Sequence, residues 1–262
     1  MREITEITEI TEMTDAQTRR RAAIVSMSVL VVSALVVAMQ PPIRQSQDYH
    51  EFADHRALLG VPNGGDVLSN LGFAIAGIAG LVACMRRTLA ARPQYLVFFV
   101  GVALTAAGSG YYHLAPDDPR LVWDRLPMTV GFMGLLAAIV GERIDPRRAH
   151  QLLAPLLLLG VASVLYWFAV DDLRPYVAVQ FGSLLVIVSL LALGPRRPAD
   201  GLLWAGLGGY VLAKLCEALD RPIFAATGEL VSGHTLKHLA AAVGVGLIAR
   251  MIARRAADAR MH

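Results

Sequence analysis

The sequence predicts an all-α membrane protein: a seven-helix transmembrane bundle preceded by one additional N-terminal transmembrane helix. Three observations carry that prediction. Hydrophobic residues are 55% of the 262 positions and charged residues only 17%; with a mean hydropathy of +0.52, the chain is too apolar for an ordinary soluble domain of this length. The charges cluster between long apolar runs, each about as long as the 17–25 residues that cross a bilayer as a helix. Within the runs hydrophobicity is near-continuous rather than alternating, which excludes a β-barrel.

The elements follow in order. The chain opens on a three-residue repeat, Glu3-Ile4-Thr5-Glu6-Ile7-Thr8-Glu9-Ile10-Thr11. It is low in complexity and reads as a disordered or loosely helical tail with no core to join. Residues 1–21 form this cytoplasmic tail, which ends on Arg19-Arg20-Arg21. The apolar run to about Met39 has the flank of a signal peptide. It is long enough to span, however, and Ala38 gives a poor cleavage context, so 22–40 reads as a retained anchor. Seven further runs, at about 67–85, 94–113, 122–142, 151–170, 174–193, 202–219 and 233–253, lie within a core of 45–255. Residues 256–262 form a second cytoplasmic tail.

Charge fixes the orientation. Alternate loops hold Arg2, Arg19 to Arg21, Arg86, Arg87, Arg92, Arg143, Arg147, Arg148, Arg196, Arg197, Arg250, Arg254, Arg255 and Arg260, which is 16 of the 24 Lys and Arg residues. The other loops are richer in acids, including Asp48, Glu51, Asp54, Asp117, Asp118, Asp171 and Asp172. Eight spans with both termini cytoplasmic satisfy the positive-inside rule at every loop. The basic residues make no single patch, so the net charge of +3 does not point to nucleic acid. Cys84 and Cys216 fall near opposite membrane faces, which argues against a disulfide. Neither has a Cys or His nearby to build a zinc–thiolate site.

Ionisable residues at membrane depth mark functional sites. Ser109 and His113 are i and i+4 and share a helix face. Asp124 follows His113 by eleven residues, across the turn-forming Ala115-Pro116-Asp117-Asp118-Pro119. Helices three and four therefore form a tight hairpin carrying Ser109, His113 and Asp124 at one depth. His234 and His238, again i and i+4, open the last helix at that depth. Taken singly, each residue has an ordinary reading: an interfacial His, a chance pair, a Ser bonded to the i−4 carbonyl, an acid at a helix N-terminus. Taken together, three His from two helices leave a fourth zinc position open, as in catalytic rather than structural zinc sites. Zinc there would make a nucleophile of water near neutral pH. Asp124 would take its proton, and Ser109 would hydrogen-bond the substrate carbonyl or its developing oxyanion.

This set resembles the CREST superfamily of membrane hydrolases, and its closest branch looks like the alkaline ceramidases, in a bacterial-type member. Ser109, His113, Asp124 with Leu126-Pro127-Met128, and His234 and His238 match that pattern in order and spacing, and the likeness extends from about Asp48 to about Ile252. The resemblance implies a seven-helix bundle with an intramembrane Zn2+ held by His113, His234 and His238. It also implies amide hydrolysis of a ceramide-like lipid, assisted by Ser109 and Asp124. The anchor at 22–39 has no counterpart in that core. The family carries a calcium site in the segment matching Asp48 to Asn70. Asp48, Tyr49 and Glu51 match it in position, with Tyr49 where the family has Trp. Asn63 stands where a downstream acid is expected, with Asp54 and Asp66 nearby. Oxygen ligands suit Ca2+; a capped loop, with Asp66 near a helix N-terminus, is the plain alternative.

Three further groups have structural readings. Lys214 and Glu217 are i and i+3 and read as an ion pair, with lipid head-group binding, together with Asp220, as the sharper alternative. Trp123 and Tyr111-Tyr112 read as an interfacial aromatic belt. Gly72, Gly77 and Gly80, with Gly206, Gly208 and Gly209, read as close helix packing. The expected protein is therefore a multi-pass membrane zinc amidase whose partners are the bilayer and a membrane lipid substrate. An apolar tunnel accepts the acyl chain, and the active site faces the non-cytoplasmic side. A lipid ester hydrolase of the same superfamily and a non-enzymatic, zinc-bearing receptor of the adiponectin type are the rival readings.

Overall fold

The computed structural model describes residues 2–86 and 88–258, with side chains from 13–86 and 88–255. The side chains of Arg2 and of the repeat, Arg87, Arg260 and the side chains of the tail at 256–262 lie outside the described residues. The chain is an all-α membrane protein. In order it forms α1 (Arg2–Ala38), a short 3-10 turn (Gln47–His50), α2 (Gly64–Ser69), α3 (Leu71–Met85), α4 (Arg92–Leu114), α5 (Asp118–Arg143), α6 (Pro146–Val170), α7 (Arg174–Val177), a π-helical turn (Ala178–Gly182), α8 (Ser183–Leu193), α9 (Asp200–Ala218), α10 (Asp220–Ala226) and α11 (Gly233–Asp258).

Seven stretches among the described residues are long and apolar enough to cross a membrane, the first of them Met13–Ala38. The run at 202–219, expected as a further span, is α9; with α10, which bends away from it by 80°, it makes an eighth apolar stretch if the pair is taken as one span. The repeat continues α1 as helix from Arg2 without a break. Asp117 and Asp145 start α5 and α6 by accepting from the Arg120 and Arg147 amides, each at 2.8 Å, which satisfies N–H groups that have no partner inside a helix.

α5 is the most enclosed helix, with 72% of its apolar window buried. It packs on α4, α6 and α8; α3 joins α4 to α11, α9 lies on α11, and α1 rests on α8 and the π turn. The Ser26 and Ser189 hydroxyls, 2.7 Å apart, tie α1 to α8. Small residues set the closest approaches. A Cβ on Gly108 would stand 2.0 Å from the Trp123 carbonyl oxygen, so α4 and α5 touch at the turn that carries Ser109. Gly206 meets Gly244 in the same way, where a Cβ would lie 2.9 Å from a carbonyl oxygen. Gly208, by contrast, faces open space.

Candidate metal centre

The end of α4, the start of α5, α2 and the start of α11 meet at one end of the bundle, under the loop of residues 46–63. His113, His234 and His238 are each at most 2% exposed, and their ligand atoms all lie within 4.8 Å of one another. This is the one such group of His, Cys, Asp or Glu among the described residues. The Nε2 atoms of His113 and His234 are 3.2 Å apart. Two ligands of a tetrahedral zinc with Zn–N of 2.0–2.1 Å are separated by about 3.3 Å, so this pair already has the spacing of a coordination edge.

The surroundings favour lone pairs pointing inward. Ser69 Oγ donates to the Asp66 carbonyl oxygen (3.0 Å) and lies 2.8 Å from His238 Nδ1. Its single proton being so used, Nδ1–H must be the donor, which leaves the Nε2 lone pair of His238 free. The His234 amide donates to Asp220 Oδ1 at 2.8 Å, and Asp220 Oδ2 accepts from the Ala53 amide at 2.8 Å. One carboxylate therefore joins the loop to the first turn of α11. Asp66, fully buried, accepts from the Ser232 and Thr235 hydroxyls. The Asn63 amide donates to the His113 carbonyl at 2.9 Å. Phe52 stacks on the His113 and His234 rings, with centroids 4.7 and 4.3 Å away, and shields the cluster from water. His113 Nδ1 is buried without a partner. The three imidazoles form a donor set that fits a borderline divalent metal.

Beside the cluster lies a cavity of about 220 Å³ lined by Ser109, Asp124 and His238 together with Phe73, Met128 and Ala241. Ser109 and Asp124 are buried and line the cavity together. Lys237, between the two His of α11, pairs with Glu217 at 3.2 Å, and Lys214 pairs with the same carboxylate. The cavity therefore combines an apolar wall, a carboxylate, a hydroxyl and a His face. The expected pair of Lys214 and Glu217 is present, with Lys237 as a third member that the sequence reading missed.

The oxygen-rich set divides. Asp48, Tyr49 and Glu51 line a cleft on the other side of His234, next to Asp220. Asn63 does not line that cleft and is committed to His113. Arg56 hydrogen-bonds the Asp54 side chain, which holds its carboxyl below the usual carboxylate range. Tyr112 departs from the expected aromatic belt. Trp123 and Tyr111 are exposed, but Tyr112 is 1% exposed and its hydroxyl meets His50 Nδ1 at 2.8 Å. The reason is helical geometry: Tyr112 sits one residue from Tyr111 and so faces the core.

Sequence reasoning missed Phe52 and the bond from Ser69 to His238. It also passed over Arg125, which lines the cavity among Trp167, Tyr176 and Tyr49. An arginine inside an apolar run is itself a signal. Both cysteines are free. Comparison with known proteins adds no relative: no family model matches the chain, and no curated protein is significantly similar to it.

Proposed function

We propose that this chain is an integral membrane, zinc-dependent amide hydrolase acting on ceramide-like lipids, either N-acyl sphingoid or related lipid amides. The observation that carries the reading is the buried His113, His234 and His238 cluster opening on a cavity that also holds Ser109 and Asp124, inside an apolar bundle. The likeness of the Ser-x-x-x-His, Asp and His-x-x-x-His pattern to alkaline ceramidases supports the same reaction.

His113, His234 and His238 would hold the zinc ion, which would supply Lewis acidity and activate water at neutral pH. The protein's own groups supply the rest. Ser109 donates its hydroxyl hydrogen to the carbonyl oxygen as that oxygen gains charge. Asp124 takes a proton from the attacking water and returns it to the leaving nitrogen. The C–O bond forms first, and the C–N bond breaks as the carbonyl re-forms and the nitrogen takes up the proton, so that one water is consumed to give a fatty acid and an amine. Phe52 and the bundle keep bulk water from the cluster, so charge that develops there is poorly screened. The apolar wall of the cavity receives the acyl chain. The positive-inside pattern supports cytoplasmic termini and a site on the opposite face.

The test is metal content of the detergent-purified protein beside His234→Ala/His238→Ala, followed by hydrolysis of matched amide and ester lipid analogues. About one zinc per chain, lost in the double variant, with the amide cleaved in preference to the ester, is the expected result. Cleavage of the ester alone would move the protein to the ester-hydrolase reading. Bound zinc with neither lipid cleaved would favour a receptor.

A further inference from the structure

The cavity holds a second polar feature that the reaction above leaves idle. Arg125 is 5% exposed and lines the cavity with Asp124. Its guanidinium lies over Trp167 at 4.1 Å, Tyr176 at 4.8 Å and Tyr49 at 5.6 Å. Nη2 donates to Gln45 Oε1 at 2.7 Å, and Nη1 is buried with no hydrogen-bond partner. Among the described residues no carboxylate forms an ion pair with it.

A guanidinium at membrane depth is costly and is normally paired. Here aromatic faces and one neutral amide replace the usual counter-ion. Cation–π contacts cover the faces of the guanidinium plane and leave its edge, the part that binds carboxylates in a two-pronged fashion. The two carboxylates on the cavity wall do not pair with it: Glu217 is shared by Lys214 and Lys237, and Asp124 makes no ion pair with Arg125. The wall therefore carries Arg125, Lys214 and Lys237 against Asp124 and Glu217, an excess of one positive charge.

We propose that Arg125 binds a carboxylate on the amine half of the substrate, so that the preferred lipid is an N-acyl amino acid or a similar acidic lipid amide. This rests on the lipid-amide reading and narrows it. Asp124 returns a proton to the leaving nitrogen, and Arg125 lines the same cavity as Asp124. In an N-acylglycine the carboxylate is separated from the nitrogen by one carbon, which places both within one cavity of this size. The cage of Trp167, Tyr176 and Tyr49 keeps the guanidinium from turning away when the cavity is empty.

The experiment compares N-palmitoylglycine with N-palmitoylglycinamide, which has the same shape and no charge. Binding is measured on the full-length Asp124→Asn protein, where turnover does not consume the ligand, and hydrolysis is measured on the wild type. The acid is expected to bind at least tenfold more tightly than the amide at neutral pH. Arg125→Gln is expected to erase that preference and Arg125→Lys to keep part of it, so that a folding defect in one variant does not decide the matter. Equal binding of the two lipids, or a preference that survives Arg125→Gln and disappears in Lys214→Gln, would overturn the assignment. Palmitate is the further arm: if it binds as tightly as N-palmitoylglycine and is equally lost with Arg125→Gln, the subsite takes the product carboxylate and the substrate assignment fails. A retained binding preference without wild-type hydrolysis would sink the hydrolase reading and leave the carboxylate subsite standing.

Discussion

Both ends of the bundle bury charge, but they dispose of it differently. At the end away from the histidines, Arg143 is wholly buried and donates to the Pro195 carbonyl and to Asp200. Arg255 reaches Glu142, Asp200 at 2.7 Å and the Pro198 carbonyl at 2.8 Å. The Tyr95 hydroxyl donates to Glu142 at 2.8 Å. Both arginines lie against carboxylates, with Arg143 Nε and Glu142 Oε2 left without partners, and the network sews α5, α9 and α11 together. At the histidine end the pairing is incomplete. Arg125 has aromatic faces in place of a carboxylate, and Asp66 has hydroxyl donors in place of a cation. Three imidazoles turn toward one another. A buried charge without a counter-ion is expensive unless something else completes it. Paired charge marks a structural cluster, and a cation without a counter-ion on a cavity wall marks a chemical one.

That contrast can be broken by substitution, and the largest effect is expected at the open end. Asp124→Asn keeps the size of the side chain and removes its ability to shuttle a proton. We expect metal content to stay at the wild-type level while turnover falls by roughly 10²–10⁴-fold, the usual contribution of a positioned acid–base group. Full turnover in this variant would remove Asp124 from the mechanism. Loss of metal along with turnover would make it a structural support instead.

At the closed end, Arg255→Leu strips Glu142 of its cation and leaves a buried carboxylate held by Tyr95 alone. Breaking a buried pair from one side costs about 3–5 kcal/mol. The expected result is a clearly lower thermal midpoint in detergent, with metal content per folded chain unchanged. If metal were lost before unfolding, the two ends would be coupled and the contrast between them would not hold.

The sequence made much of this legible because membrane-spanning helices announce themselves. Length and hydropathy place the spans, and the i to i+4 spacing of Ser109 with His113 and of His234 with His238 places each pair on one face. The hairpin that brings Asp124 to Ser109 follows from the Pro-Asp-Asp-Pro turn. What stayed hidden depends on how chain segments fold back. Phe52 covers the histidines because the loop of residues 46–63 lies across the bundle end, and nothing in its local pattern says so. The bond from Ser69 to His238 spans 169 residues. The bend between α9 and α10 falls where the apolar run ends, at Asp220-Arg221-Pro222, and the proline there is a signal that a hydropathy reading alone does not weigh. Tyr112 was misplaced for a simpler reason. Two adjacent tyrosines near a helix end look alike in sequence, yet adjacent positions on a helix face different ways.

The smallest expected effect concerns how α1 is tethered, and it sharpens the comparison because it is a third way of using charge, in a loop outside the spans. The segment after α1 is held by the loop before α7. The Ile43 amide donates to Asp172 Oδ1 at 3.3 Å, the Gln45 amide to Asp171 at 3.0 Å and the Leu173 amide to the Ile43 carbonyl at 2.8 Å. Arg174 grips Asp172 and also reaches the Gln40 carbonyl at 2.9 Å. The Arg174 hydrogen bonds hold the Asp172 carboxyl below its ordinary range. A carboxylate depressed on folding stabilises the folded form fully above its unfolded pKa of about 3.9 and loses that contribution as pH falls through the folded value. The tether should therefore be unchanged from neutral pH to about 5 and loosen only below about 4. Hydrogen exchange at the Ile43 and Leu173 amides would report it, and Asp172→Asn should flatten the profile. A midpoint between pH 5 and 7 would rule out Asp172 as the cause, since no carboxylate with a lowered pKa titrates there.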